Sequence, residues 1–138
     1  MAHTPFRVDV LTPTGELFGG EVEQVSTRTV AGEIGILAGH APLLGRLEPA
    51  ELKLHVSDGD VKRYVQIGGY VQVAQEGNVL LLVDEAFPVE EYSLEDAKKR
   101  QEKAESRLAA AEEGTEAHRL ALAAKHRADA LVRLNERL

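Results

Sequence analysis

The sequence predicts an α+β protein, with an all-β first half and a helical second half. Two changes near Pro88 support this division. All five prolines and 11 of the 12 glycines lie at or before Pro88, and they separate short runs that alternate like β-strands. After Pro88, apolar residues recur every three or four positions, which is the period of an amphipathic helix. We therefore expect two domains, residues 1–88 and residues 89–138.

The first half contains several strand-like segments joined by turn sequences. Residues 6–10 and 52–56 alternate between apolar and polar side chains, as expected for half-buried strands. The pair Asp58-Gly59 then supplies a hairpin turn, and the sequence EGN at 76–78 separates two further apolar runs. Strands that follow one another every 8–12 residues, with turns between them, are typical of a sandwich or a barrel.

The second half predicts two helices joined by a short turn. Ser93, followed three residues later by Asp96, resembles a capping box at the start of the first helix. Gly114 is expected to end that helix and Thr115 to cap the next. A turn this short makes the helices antiparallel neighbours. The predicted seam of the first helix is Leu94, Ala97, Gln101, Ala104, Leu108 and Ala111; that of the second is Ala117, Leu120, Ala124, Ala128, Leu131 and Leu134 or Leu138.

The predicted hairpin is rich in alanine and densely charged. Because an alanine methyl group buries far less surface than a leucine side chain, we expect this seam to hold the hairpin weakly. A weakly held helical segment is suited to a two-state conformational change. The second helix is basic, and its Arg119, Arg127 and Arg133 form either a solvated helix face or a surface for an acidic partner.

Composition disfavours several functional classes. The chain has 138 residues, a formal net charge of −7, no cysteine and 4% aromatic residues. The negative charge opposes binding to nucleic acid, and few aromatic side chains are available to stack on bases or sugars. Without cysteine there are no disulfides and no thiolate metal sites. The N-terminus shows no signal-peptide pattern, and the longest apolar run, residues 79–83, is too short to cross a bilayer. We expect a cytoplasmic chain.

No motif in the sequence predicts an active site. The glycines of GEIGILAGHAPLL at 32–44 have the wrong spacing for a phosphate-binding loop, and no lysine accompanies them. The glycine pair in GGY at 68–70 indicates a bulge or a close backbone approach. The five histidines are scattered, so no metal site is expected. Glu33 and His40 could form an acid–base pair, but we interpret His40 as a loop residue held by hydrogen bonds.

The segment AGEIGILAGHAPLL, residues 31–44, is expected to contact another chain. Ile36 and Leu37 are adjacent, as are Leu43 and Leu44, and neighbouring side chains of an extended chain point to opposite faces. One member of each pair therefore faces solvent unless another subunit covers it. Exposed apolar groups of this kind usually mark an interface.

Four segments carry a family resemblance that runs over the whole chain. They are FRVDVLTPTGELF at 6–18, GEIGILAGHAPLL at 32–44, QIGGYVQV at 66–73 and the helical hairpin that follows Pro88. Together and in this order, they resemble the epsilon subunits of bacterial and chloroplast F-type ATP synthases. The resemblance implies a ten-stranded β-sandwich followed by two α-helices.

The resemblance also implies a function. Epsilon subunits are non-catalytic rotor subunits of the central stalk, which couples ion-driven rotation to ATP synthesis. The implied partners are the gamma subunit, the ring of c subunits and, when the hairpin extends, the catalytic alpha and beta subunits, whose ATP hydrolysis it restrains. The implied location is the cytoplasmic side of the bacterial plasma membrane, as a peripheral part of the complex. Direct bilayer insertion and nucleic-acid binding are not expected.

The resemblance assigns candidate site residues to two regions. The contact with the c ring and gamma is implied for Glu33, Ile34, Gly35, Ile36, Leu37, His40, Ala41, Pro42 and Leu43. The regulatory hairpin is represented by Ser93, Ala97, Ala104, Leu108, Gly114, Arg119, Ala124, Arg127 and Arg133. No catalytic residue and no metal ligand is implied.

One motif of the family is missing here. Some bacterial members bind ATP through the sequence [IL]-D-x-x-R-A at the start of the first helix. In this chain Ser93 replaces the acidic residue and Asp96 replaces the arginine. A carboxylate in the place of the cation would repel a triphosphate. We therefore expect no cofactor and weak or absent ATP binding. An ATP-sensing binding module stays an alternative, and a carbohydrate-binding or enzymatic β-sandwich is a less favoured one.

Overall fold

The structure, a computed structural model, describes residues 3–138 and divides into two compact units. The first unit is Met1–Glu90 and the second is Glu91–Leu138. Residues 1 and 2, which the first predicted domain includes, lie outside the described residues. The first unit is a β-sheet structure and the second is a pair of helices. The predicted α+β class is confirmed.

Residues 3–90, the described part of the first unit, contain eight strands. They are β1 (Phe6–Thr12), β2 (Gly15–Val22), β3 (Gln24–Thr29), β4 (Gly32–Ile36), β5 (Leu43–Arg46), β6 (Ala50–Ser57), β7 (Asp60–Val73) and β8 (Val79–Pro88). Their order in the sheet is β2-β1-β8-β7-β6-β3-β4, with β5 also paired to β7. The pairs are antiparallel except for β1 and β8, which are parallel. The predicted turns at 58–59 and 76–78 join β6 to β7 and β7 to β8.

The strand count differs from the ten strands that the resemblance implies. The difference lies in the two long strands, β7 with 14 residues and β8 with 10. The first part of β7 pairs with β6 and its last part pairs with β5, while β8 follows it through both parts. Each of these two strands is continuous here. If each were divided where the pairing of β7 changes, the count would be ten.

The change of partner along β7 occurs at two glycines. Gly68 and Gly69 have φ angles of 73° and 115°, a region that disfavours residues with a side chain. A Cβ atom on Gly69 would lie only 2.1 Å from the carbonyl oxygen of Leu82 on β8. The Gly69 carbonyl accepts a hydrogen bond of 2.8 Å from the amide of Leu47, which follows β5. The close backbone approach predicted for this pair is confirmed.

The sheet surrounds an apolar core built from alternate residues of its strands. Fully buried members of this core include Val8 on β1, Leu54 on β6, Val71 on β7 and Leu81 on β8. Alternation places the side chains between these positions on the outer surface of the sheet. The outer surface is therefore where partners can be bound.

Three buried side chains of the described sheet are polar, namely Thr27 and Thr29 on β3 and Gln66 on β7. Gln66 on β7 is fully buried, and its Nε2 donates hydrogen bonds to the carbonyl oxygens of Glu48 at 2.9 Å and Arg28 at 3.4 Å. Glu48 lies between β5 and β6, and Arg28 lies on β3. A single amide group therefore joins three parts of the fold.

The second unit contains two capped helices, α1 (Leu94–Ala110) and α2 (Glu116–Leu134). A 3-10 turn at Val89–Glu91 precedes them, and another at Asn135–Arg137 follows. Both predicted caps are confirmed, because Ser93 accepts a hydrogen bond from the Asp96 amide and Thr115 accepts one from the His118 amide. The prediction that Gly114 ends α1 is wrong. The helix stops at Ala110, and Gly114, with a φ of 83°, forms part of the turn instead.

The predicted seam is confirmed for α1 and only in part for α2. Ala97 and Ala104 are buried on α1, and the other predicted positions of that helix are half-buried. On α2, Leu120 is 54% exposed and Ala117 is also exposed, whereas the neighbouring Ala121 is buried. The contacting face of α2 begins one position later than predicted, and Ala117 and Leu120 instead border an open groove with Ala110 at the turn end of the hairpin.

Candidate functional site

The connection between β4 and β5 presents the apolar surface that the sequence predicts. Each adjacent pair is divided between the two faces of the chain. Ile36 is fully buried in the core and 40% of Leu37 is exposed. Leu43 packs half-buried against the core and 72% of Leu44 is exposed. Leu37 and Leu44 are therefore available to a partner, and the side chain of Ile36 is not.

The other apolar positions of this segment divide in the same way. Ile34 is half-buried and packs against the core, whereas Gly35, Ala41 and Pro42 are exposed. The surface offered by the connection thus consists of small and apolar groups. Ile34 and Ile36 hold β4 in place beneath it.

Glu33 and His40 interact with different groups. Glu33 is exposed on β4, and one of its carboxylate oxygens lies 3.7 Å from Nη1 of Arg28 on the neighbouring strand. The Nδ1 atom of His40 lies 2.7 Å from the carbonyl oxygen of Ala41. Because a carbonyl only accepts, the ring donates from Nδ1, which leaves Nε2 of the neutral ring as an acceptor. His40 is a hydrogen-bonded loop residue, as predicted.

A second exposed apolar surface adjoins this connection, on the outer side of the sheet. We call it the apolar face; it consists of Leu11, Leu44, Tyr70, Leu80 and Leu82. Tyr70 is 52% exposed and Leu82, directly opposite it, is 48% exposed. Leu82 is also level with Leu11 on β1, and Gln72 stands between Leu44 and Leu80 in the next row. The apolar face therefore crosses four strands, from β5 through β7 and β8 to β1.

The outer side of β3, β4 and β6 has the opposite character. Glu51 on β6 pairs with Arg63 and lies 3.8 Å from Lys53. Arg28 and Glu33 form a further pair across β3 and β4. Ion pairs on a surface are well solvated by water, so this side of the sheet needs no partner. The exposed apolar groups on the other outer side, in contrast, are typical of an interface.

Sequence reasoning missed most of the apolar face. It identified Leu44 but not Tyr70, Leu80 or Leu82, which lie in strands rather than in the connection. A signal for them exists in VLLLV at residues 79–83, because a strand with one solvated side would alternate with polar residues there. The absence of alternation indicates that both sides of β8 are apolar.

The hairpin positions form a second candidate region. Arg119 is paired with Glu116 on its own helix, so its charge is balanced locally. Arg127 and Arg133 form no ion pair with another side chain of residues 3–138. Among the small seam residues, Ala104 is buried, and Leu108 and Ala124 are half-buried. The hairpin thus keeps Arg127 and Arg133 outside the ion pairs of the described residues, although Arg133 lies near enough to Asp129 to favour its charged form.

Comparison with known proteins identifies the family. Residues 5–89 match the family described as ATP synthase, Delta/Epsilon chain, beta-sandwich domain. The chain belongs to the ATP synthase delta/epsilon family. The match confirms the predicted β-sandwich, although with eight strands.

Relatives in the delta/epsilon family extend this finding. The ATP synthase epsilon chain of Sulfurihydrogenibium sp. is 38% identical over 103 residues, which is 75% of this chain and 76% of that one. A solved structure of Euglena gracilis mitochondrial ATP synthase, with OSCP, F1 and c-ring, contains a chain that is 25% identical. It has a TM-score of 0.74, with 95% of this chain and 81% of that chain covered. The central stalk and c-ring structure of the Tetrahymena thermophila mitochondrial enzyme gives a TM-score of 0.61 at 17% identity, covering 99% and 98%, and shows the fold alone.

Two further observations bear on the chemistry of this delta/epsilon chain. Residues 3–138 contain no group of three or more histidine or acidic side chains placed to hold a metal ion. None of the helices described here combines the length and the apolar character needed to cross a membrane. At the start of α1, the hydroxyl of Ser93 is occupied as a helix cap and Asp96 is exposed.

Proposed function

We propose that this chain is a central-stalk rotor subunit of an F-type ATP synthase. In this role it has no catalytic residues of its own and couples ion-driven rotation to ATP synthesis. Membership in the delta/epsilon family supports the proposal, as does the likeness to a chain in a complex that includes F1 and a c-ring. The chain would lie at the cytoplasmic side of the bacterial plasma membrane, as a peripheral part of the complex.

The apolar face is the observation that carries the proposed contact with gamma. Burying one leucine or tyrosine side chain stabilises a contact by about 1.5–3 kcal/mol. Leu44, Tyr70 and Leu82 are each about half or more exposed. Together with Leu11 and Leu80, they form a largely apolar surface, interrupted by Gln72 between Leu44 and Leu80, that gains most by pairing with another apolar surface. We assign this surface to the gamma subunit.

The connection between β4 and β5 is assigned to the contact with the c ring and the adjoining part of gamma. Leu37, Ala41 and Pro42 are exposed there. Nε2 of His40 is available as a hydrogen-bond acceptor, and Glu33 is a largely exposed carboxylate. These two polar groups would position the contact, since neither is arranged for proton transfer.

The hairpin is assigned a regulatory role. By extending along gamma towards the alpha and beta subunits, it would restrain ATP hydrolysis. Its alanine seam provides little packing energy to oppose extension, and the unpaired Arg127 and Arg133 suit an acidic partner surface. The proposal includes no nucleotide site, because Ser93 is occupied as a cap and Asp96 is an acid where the family's ATP motif has an arginine.

Binding to gamma tests the proposal. Leu82→Asp places a charge in the centre of the apolar face without touching the core, since Leu82 points outward. We expect at least about a tenfold loss of affinity for a cognate gamma subunit, because the carboxylate would be buried without a partner. Calorimetric titration of gamma with the purified chain measures the change.

Val61→Asp is the matched control. Val61 is also an exposed apolar residue of β7, but it lies opposite His55, away from the apolar face. This variant should bind gamma like the parent chain. Equal loss in both variants would show a general defect, and a parent chain that fails to bind gamma would overturn the proposed function.

A further inference from the structure

One carboxylate joins the two helices of the hairpin. Asp129 on α2 accepts a hydrogen bond of 2.9 Å from Nε2 of Gln101 on α1 through one oxygen. Its other oxygen accepts one of 2.7 Å from Nζ of Lys125, one turn earlier on α2. We call this group of three residues the Asp129 bridge. Asp129 and Lys125 are both less than one-third exposed, so solvent competes little for these bonds.

The remainder of the seam defines the alignment of the helices poorly. The buried positions at the middle of the hairpin are Ala104, Ala121 and Ala128. Alanine methyl groups are nearly interchangeable, and the buried alanines of each helix (Ala97 and Ala104, Ala121 and Ala128) are seven residues apart. Sliding one helix by two turns therefore brings one alanine into the place of another. A polar contact at a single position selects one alignment and one partner face, as polar core residues do in coiled coils.

The end of the hairpin near the turn lacks a comparable contact. There the helices leave a groove of about 420 Å3, lined mainly by small residues that include Ala110, Ala117 and Ala124. At the opposite end, the hydroxyl of Tyr92 donates to the carbonyl of Leu131, and Leu131 and Leu134 are buried. Apart from the half-buried Leu108, the polar and large apolar contacts thus lie at the middle and the base of the hairpin.

We propose that the Asp129 bridge sets the alignment of α1 against α2 and keeps the helices paired, so that its loss separates them from the turn end. The charges nearest Asp129 agree with this role. Lys125 and Arg133 both favour the ionised carboxylate, and Glu105 in turn favours the charged form of Lys125. The hydrogen bonds from Lys125 and Gln101 hold the pKa of Asp129 below its usual range, so the carboxylate is charged at neutral pH.

The distance between the helices near the turn tests the proposal in the full chain. The sequence has no cysteine, so spin labels attach only at Ala109→Cys on α1 and Leu122→Cys on α2, both exposed positions. Gln101→Glu sets a second carboxylate against Asp129 and removes the donor. We expect the ratio of separated to paired helices to rise about 10-fold or more, because the variant loses a hydrogen bond to a charged group.

Two variants separate this effect from a general loss of structure. Ser106→Glu adds the same charge at an exposed position of α1 and should leave the distances unchanged. Gln101→Glu combined with Asp129→Asn restores one amide and one carboxylate, in exchanged positions, and should return the helices to the paired state. Unchanged distances in Gln101→Glu, separation in Ser106→Glu, or no recovery in the double variant would each overturn the proposal.

The regulatory consequence rests on the restraint proposed above. If separated helices extend more readily, the assembled enzyme with Gln101→Glu should hydrolyse ATP more slowly than the parent, and the double variant should recover. Separation of the helices with unchanged hydrolysis would uphold the Asp129 bridge and count against the restraint. Unchanged distances would overturn the bridge whatever the hydrolysis rate.

Discussion

Gln66 illustrates how much of the fold depends on one side chain. Its amide nitrogen donates to the carbonyl oxygens of Glu48 and Arg28. The Arg28 carbonyl also accepts from the Glu48 amide at 3.0 Å, so the Glu48 carbonyl is the one that depends on Gln66. A buried carbonyl left without a donor costs about 1–3 kcal/mol. The side chain is therefore a structural requirement of the sandwich, remote from the surfaces proposed for partners.

Replacing this donor should destabilise the chain in a pH-dependent way. In Gln66→Glu the new carboxylate would face carbonyl oxygens, so burial and repulsion raise its pKa in the folded chain. The variant should lose at least about 2 kcal/mol of unfolding free energy at pH 7 and less at pH 4, where the group is protonated. Urea unfolding at both pH values measures this. Gln72→Glu, an exposed change on the same strand, should have little effect at either pH, and an equal loss there would contradict the explanation.

Some residue roles could be predicted from the sequence and others could not. His40 was predicted as a loop residue because no nucleophile or metal partner accompanies it, and its hydrogen bond to Ala41 agrees. The burial of Gln66 has no local signal, because it depends on carbonyls 18 and 38 residues away in sequence. A role that depends on backbone groups far away in the sequence cannot be predicted from local sequence patterns.

At the scale of elements, the bend at Gly68 and Gly69 allows β7 to serve two partners. The long strand pairs with β6 before the bend and with β5 after it. This change of partner brings β5 alongside the last part of β7, with Leu44 opposite Gln72 and one row from Tyr70, and so adds Leu44 to the apolar face. The two glycines thus shape the surface proposed to bind gamma without being part of it.

Substitution at the bend should be severe for two separable reasons. In Gly69→Ala, the φ of 115° is strained and the Cβ collides with the Leu82 carbonyl, so we expect a loss of about 3 kcal/mol or more in unfolding free energy. Gly77→Ala is the matched control, because its φ of 103° is similar but nothing lies within 4 Å of the new Cβ. It should cost about 1 kcal/mol. Chemical denaturation of both variants provides the comparison, and equal losses would remove the role of the collision.

Elements were predictable where the signal is local. The caps at Ser93 and Thr115 and the turn at 58–59 follow from neighbouring residues, and they are confirmed. The start of the α2 seam was predicted wrongly, because helical spacing fits Leu120 and Ala121 almost equally well. The packing of the two helices near the turn decides between them, and there Leu120 borders an open groove while Ala121 is buried.

At the scale of the whole molecule, the two units carry separable proposed roles. The core, the apolar face and the β4–β5 connection all lie within Met1–Glu90. The Asp129 bridge and both helices lie within Glu91–Leu138. The proposed binding to the rotor and the proposed restraint of hydrolysis therefore draw on different parts of the chain.

Removal of residues 89–138 from the assembled enzyme tests this separation. We expect the rate of ATP hydrolysis to rise about fivefold or more, which corresponds to the loss of a coupling free energy of about 1 kcal/mol or above. ATP synthesis driven by an ion gradient should persist. Both rates should be measured on the same preparation, with retention of the shortened chain checked by its co-purification with gamma. Unchanged hydrolysis would remove the restraint and leave the rotor role, whereas loss of the shortened chain from the complex would contradict the assignment of gamma binding to the sandwich.

The family could be recognised from the sequence because its motifs sit where the backbone is most constrained, at glycine turns and in the β4–β5 connection. The apolar face could not be predicted from the sequence, because its five residues come from four strands and become neighbours only through the register of the sheet.

The apolar face also governs how the chain behaves when no partner is present. At low salt, charge repulsion opposes self-association of the free subunit through this face. The sandwich is negatively charged, with 12 Asp and Glu against 6 Lys and Arg in residues 1–88. Dissolved salt shortens the range of that repulsion to about 8 Å at physiological ionic strength and leaves the attraction between apolar groups intact. Colloidal stability of the free subunit thus declines as salt is added, the reverse of what an interface built on ion pairs would show.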